Sequence, residues 1–168
     1  LTTILNSYHL SASQAAEISD KLLLTQDKGK VTVGQLSQGL GGLVGIASSA
    51  KVPLNDILSS LATLTANGLP ASSSITSLKQ AISGIIKPTA EAQKMASSLH
   101  LQFNAQALAS KGLSGVLADV QAKTGGSSEK MAKLFGSVEA LNAVMVLTTK
   151  EGSKSLRENL ELMNSSAG

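Results

Sequence analysis

A chain of 168 residues with a formal charge of +3 has room for one ordinary domain, and its scattered lysines form no dense run that would track a nucleic-acid backbone. It contains no cysteine, which removes disulfides, thiolate metal sites and cysteine nucleophiles together. Aromatics are limited to Tyr8, Phe103 and Phe135, so Ala, Leu, Ile, Val and Met must build the core, and the many Gly, Ala and Ser residues favour closely packed helical layers.

The start, Leu1-Thr2-Thr3-Ile4-Leu5, lacks the basic segment and long apolar run of a secretory signal. The chain ends in Asn164-Ser165-Ser166-Ala167-Gly168 and is expected to be a segment of a larger protein, synthesised in the cytoplasm. Residues 1–9 read as the end of a helix. Ser11-Ala12-Ser13-Gln14 has capping-box spacing, and a helix over about 12–24 follows, with Ala15, Ile18 and Leu22 on one face. Asp27-Lys28-Gly29-Lys30 supplies a turn.

Val33, Leu36, Leu40, Leu43, Val44 and Ala47 recur at three- and four-residue intervals, which predicts a helix over about 32–50. Gly34, Gly39, Gly41, Gly42 and Gly45 each weaken it by about 1 kcal/mol against Ala, so packing must compensate. After Val52-Pro53, the positions Leu54, Ile57, Leu58, Leu61 and Leu64 mark a helix that stops at Asn67-Gly68, a pair suited to a left-handed cap. Ile75, Leu78, Ile82, Ile85 and Ile86 give the cleanest amphipathic pattern, closed by Lys87-Pro88. Thr89 caps a further helix to about Leu99, with Glu91 in its first turn.

Leu101, Phe103 and Ala105 alternate, leaving residues 101–110 open between a short strand or hairpin and irregular chain. Leu113, Val116, Leu117 and Val120 define a helix closing at Thr124-Gly125-Gly126. Ser127 or Ser128 caps a short helix with Met131, Leu134 and Phe135, stopped by Gly136. Val138, Leu141, Val144 and Met145 carry the next to about Lys150; Gly152 interrupts, and Ser153 or Ser155 recaps a last helix through Leu156, Leu160 and Met163. The expected fold class is all-α, a compact bundle of about eight or nine short helices in a single domain over 1–168, with 1–87 and 88–168 as candidate sub-halves.

The chemistry-bearing residues do not assemble into a reaction centre. His9 and His100 have no carboxylate or second histidine at metal-ligand spacing, and no Gly-x-Ser-x-Gly elbow occurs. The run Gly39-Leu40-Gly41-Gly42-Leu43-Val44-Gly45 is glycine-rich, but Val44 stands where a dinucleotide fingerprint needs Gly, and no Lys-Ser or Lys-Thr follows it. Gly41 and Gly45 form a Gly-x-x-x-Gly pair, read here as a tight helix crossing. Leu40 to Ala50 is about half the roughly 20 apolar residues a membrane span needs. Glu158 and Glu161 share a solvated face near Arg157, Asp119 stands alone, and Phe103 and Phe135 belong to the core. The expectation is a protein without catalytic, cofactor-binding or metal-ligating residues.

In the order of its helix stops the sequence resembles the core region of phage tail tape-measure proteins. The resemblance covers nearly all of the chain and is densest from Val52 to Gly152. It rests on Leu61-Ala62-Thr63-Leu64-Thr65-Ala66-Asn67-Gly68-Leu69, on Leu78 through Ile86 into Lys87-Pro88-Thr89-Ala90-Glu91-Ala92, and on Leu134-Phe135-Gly136-Ser137-Val138-Glu139-Ala140-Leu141. Where such proteins commonly carry Leu-Gly-Ile or Leu-Gly-Val, this chain has Leu99-His100-Leu101, which puts a glycine turn there in question.

The resemblance implies a non-enzymatic virion component of a phage or prophage tail, engaged in tail assembly, length control and DNA ejection. Its implied partners are other copies of itself, the tail tube, an assembly chaperone and baseplate proteins, with no small-molecule substrate, no sequence-specific nucleic acid and no membrane contact indicated by this segment. Two rival readings are a membrane-active module using the glycine-rich helix, tested by liposome leakage, and a cell-wall hydrolase, tested on peptidoglycan.

Overall fold

A computed structural model describes residues 1–165; Ser166, Ala167 and Gly168 of the terminal tract lie outside the described residues. The described residues form α1 (Thr2–Ser7), a 3-10 turn (Ala12–Gln14), α2 (Ala15–Lys28), α3 (Val33–Ser49), α4 (Leu54–Ala66) and α5 (Ala71–Ile86). They continue through α6 (Ala90–Ser98), α7 (Ala105–Thr124), α8 (Ser128–Leu134), α9 (Val138–Thr148) and α10 (Lys150–Ser165). The class is all-α, as expected, with ten α-helices among the described residues where the periodicity suggested eight or nine.

The architecture is organised around α4, in which every residue from Asp56 to Thr65 is buried. Helices α2, α3, α5, α7, α9 and α10 all touch it, and α5 lies between α3 and α9. A helix enclosed on all sides must hide its polar side chains as well as its leucines. Thr63 and Thr65 do so by donating to the carbonyls of Ser59 and Leu61, both at 2.8 Å. Thr65 Oγ1 also accepts the Lys30 N–H (3.1 Å), which ties the end of α2 to the centre. Ile57, Leu58, Leu61 and Leu64 are fully excluded from water.

The stops operate by chain chemistry that the sequence displays. Thr32, Thr89, Asn104, Ser127 and Ser137 each accept an early backbone N–H of the helix that follows. At the end of α4, Gly68 takes the left-handed residue (φ 100°), and the Leu69 N–H returns to the Leu64 carbonyl (3.2 Å). The same turn closes α6 without glycine: His100 has φ 54°, and the Leu101 N–H reaches the Ala96 carbonyl at 2.9 Å. The turn in question at Leu99-His100-Leu101 is therefore kept, and the neighbouring hydrogen bonds hold a histidine in a conformation that glycine adopts more easily.

Two readings are corrected. Residues 101–110 form neither strand nor hairpin: Leu101 to Phe103 is an irregular connection, and α7 begins at Ala105, capped by Asn104 Oδ1 on the Ala107 N–H (2.8 Å). The alternation arises because Leu101 and Phe103 both turn inward, Phe103 meeting Phe135 edge-on with centroids 5.2 Å apart. Gly152 does not interrupt a helix either. Thr149 is the corner between α9 and α10, its hydroxyl accepting the Gly152 N–H (2.9 Å) and its carbonyl the Ser153 N–H (2.8 Å). Gly152 is buried inside the first turn of α10, where a Cβ would collide with the Val146 carbonyl.

Candidate functional site

The polar constellation with the most unusual physics centres on Asp56 in the first turn of α4. Its side chain faces the middle of α7, and the residue is only 4% exposed. One carboxylate oxygen accepts the Leu113 N–H (2.8 Å), and the other accepts the Ser114 hydroxyl (3.2 Å). At Gly112, immediately before, α7 breaks: φ 71° and ψ 175° belong to a region that essentially only glycine occupies. A Cβ at this position would overlap Asp56 Oδ2. Asp56 is thus an N-cap supplied from another helix, serving Leu113–Thr124 much as Asn104 serves the half that begins at Ala105.

Burial raises the Asp56 pKa above the ordinary carboxylate value, while the backbone N–H groups of Leu113 and Ser114 and the Ser114 hydroxyl pull it back. Tyr8 lies close enough to feel this charge. Its phenol donates to the Val52 carbonyl (2.7 Å), and burial together with the Asp56 charge pushes its pKa upward. Outside the break, Lys111 Nζ pairs with Asp119, both side chains partly exposed. Asp119, read from sequence as isolated, is therefore partnered.

A second polar link joins the last helix to the central one. Asn159 donates to Thr63 Oγ1 at 3.1 Å in the buried interface, and Asn55 donates to Asn164 Oδ1 at 2.7 Å nearer the surface.

The other residues singled out in the sequence are dispersed. His9 (φ 55°) and His100 are exposed and occupy the left-handed turns that end α1 and α6. Gly39 to Gly45 lies inside the continuous helix α3 and forms no loop around a phosphate. The close approach of α3 to α5 occurs at Gly39, where a Cβ would stand 3.2 Å from Ile75 Cδ1. The Gly41 and Gly45 pair makes no tight crossing: a Cβ at Gly41 would be in ordinary contact with Thr3, and one at Gly45 would meet nothing within 4 Å.

Glu158 and Glu161 are exposed, with Lys154 Nζ 3.9 Å from Glu158. A surface groove of about 430 Å³ between α5 and α9 is lined by Pro70, Ser73, Thr76, Glu139 and Asn142 among others, with Glu139 its single charged residue. Among the described residues there is no group of three or more His, Asp or Glu placed to hold a metal ion. Nor is any described helix long and apolar enough to cross a membrane.

Asp56 escaped the sequence reading because an acid in a first helical turn usually faces water and complements the helix dipole. A weak signal lay in the helical pattern resuming at Leu113 directly after Gly112, without a serine, threonine, asparagine or aspartate immediately before it to act as cap.

Fold and site together define an all-helical module in which Asp56 caps a neighbouring helix and Asn159 joins the last helix to the central one. A family model described as phage-related minor tail protein matches residues 1–136. The match spans most of the chain, which belongs to that family and so to the components of phage tails. No curated protein and no solved structure matches it.

Proposed function

We propose that the chain is a folded, non-catalytic module of a tail tape-measure protein, placed at one end of the ruler and used in assembly or release. The supporting observation is the succession of helix stops. An α-helix advances about 1.5 Å per residue, so a chain of this length drawn out as one rod would measure roughly 250 Å. Here the longest helical span, α7, has 20 residues and is itself broken at Gly112. A globule of this size has a radius of gyration of about 15 Å. Such a piece converts residue number into tail length very poorly, whereas its surface offers a fixed shape to other copies, the tail tube, a chaperone or the baseplate.

Deletion or tandem duplication of the segment in the parent phage, followed by measurement of tail length, tests this reading. A module leaves tail length nearly unchanged or blocks assembly. A shift of about 250 Å per copy, following residue number at the helical rise, contradicts it.

A further inference from the structure

The break in α7 is not written into the local sequence. From Ala105 to Thr124 there is no proline, and Ala, Leu, Gln and Lys recur throughout. Gly112 and Gly115 each weaken a helix by about 1 kcal/mol, yet α3 runs on unbroken through five glycines. A continuous α7 would also regain the backbone hydrogen bonds that the break gives up. The bent form must therefore be held from outside.

Two holders are visible. Asp56 takes the Leu113 N–H and the Ser114 hydroxyl from across the helix interface. On the surface, Lys111 is paired with Asp119. Residues eight apart in an uninterrupted helix are separated by about 12 Å along the axis, the limit of what a fully extended lysine and aspartate can span, so the bend brings this pair within easy reach and straightening α7 strains it.

Neither holder is strong. The hydrogen-bond partners of the Asp56 carboxylate are neutral donors, while Lys111 turns to Asp119 and Lys21, on α2, turns to Glu17. Returning Asp56 to water would recover the hydration that burial removes. The partly exposed Lys111–Asp119 pair contributes little on its own.

We propose that α7 is a two-state element in which Asp56 and the Lys111–Asp119 pair latch a bend at Gly112, and that releasing the latch lets Ala105–Thr124 run as one straight helix. The device belongs to the fold itself and does not depend on where the module sits in a tail.

The absence of native cysteine allows spin labels on Gln106→Cys and Lys123→Cys, both exposed positions, in the 168-residue chain. In a straight helix their Cα atoms stand about 25 Å apart, and in the latched form they are closer. Pulsed electron-paramagnetic-resonance distances would be recorded for the otherwise unaltered chain, Asp56→Ala and Asp56→Asn, with circular dichroism on the same samples. Asp56→Ala should keep its helix content and lengthen to about 25 Å, while Asp56→Asn, which retains an acceptor for Leu113, should stay short. Should Asp56→Ala fail to fold, Gly112→Ala carries the same prediction, because it forbids the bend without deleting the acceptor. A folded variant of either kind at the original distance overturns the proposal, as does loss of helical structure in both.

Discussion

Helices α3 and α7 both carry glycine in their interiors and behave oppositely. Five glycines leave α3 continuous over 17 residues, whereas α7 breaks at Gly112. The difference lies in what stands opposite. Beside Gly45 there is open space, and beside Gly112 there is the Asp56 carboxylate. Glycine permits a break, and a buried acceptor on a neighbouring helix imposes it. The number of glycines in a helix is thus a poor guide to where the chain bends.

The largest effect expected from breaking this comparison is that of Gly112→Ala. A methyl group there meets both a conformation reserved for glycine and the Asp56 oxygen, and should disfavour the bent form by about 3 kcal/mol, read as a lower urea midpoint. Gly45→Ala, by contrast, adds a methyl group in open space and should stabilise the chain by up to about 1 kcal/mol. His100→Gly relieves a left-handed histidine and should raise stability by an amount on the order of 1 kcal/mol or less, visible as a small rise in Tm.

A pH series sharpens the same contrast. The folded-state pKa of Asp56 lies above its unfolded value, so its protonation favours folding. That contribution is fully present below the unfolded value near 3.8 and is lost as pH rises through the higher folded-state value. Asp56→Asn should remove this part of the decline, giving a flatter stability profile across the same window in urea titrations.

The helices were legible because α2 to α5 repeat apolar residues at helical spacing and end on residues with known chain-stopping chemistry, such as Asn67-Gly68 and Lys87-Pro88. Readings failed where a residue answers to a distant partner. Gly152 resembles an interruption until the Val146 carbonyl is seen against it, and Leu101 with Phe103 resembles a strand until Phe135 is placed. Asp56 was hidden for the same reason: its partners, Leu113 and Ser114, lie more than fifty residues away along the chain. Patterns of spacing report a helix's own face, and they carry no record of which neighbour covers it.

The most direct measurement compares urea unfolding of Asp56→Asn with Asp56→Ala at neutral pH. If an acceptor on α4 organises α7, the asparagine variant stays within about 1 kcal/mol of the original chain, and the alanine variant falls further, by at most about 1–3 kcal/mol, the cost of an unpaired buried donor less what the Leu113 N–H regains in a straightened α7. Equal stability of the two variants would mean that the break is set by α7 alone.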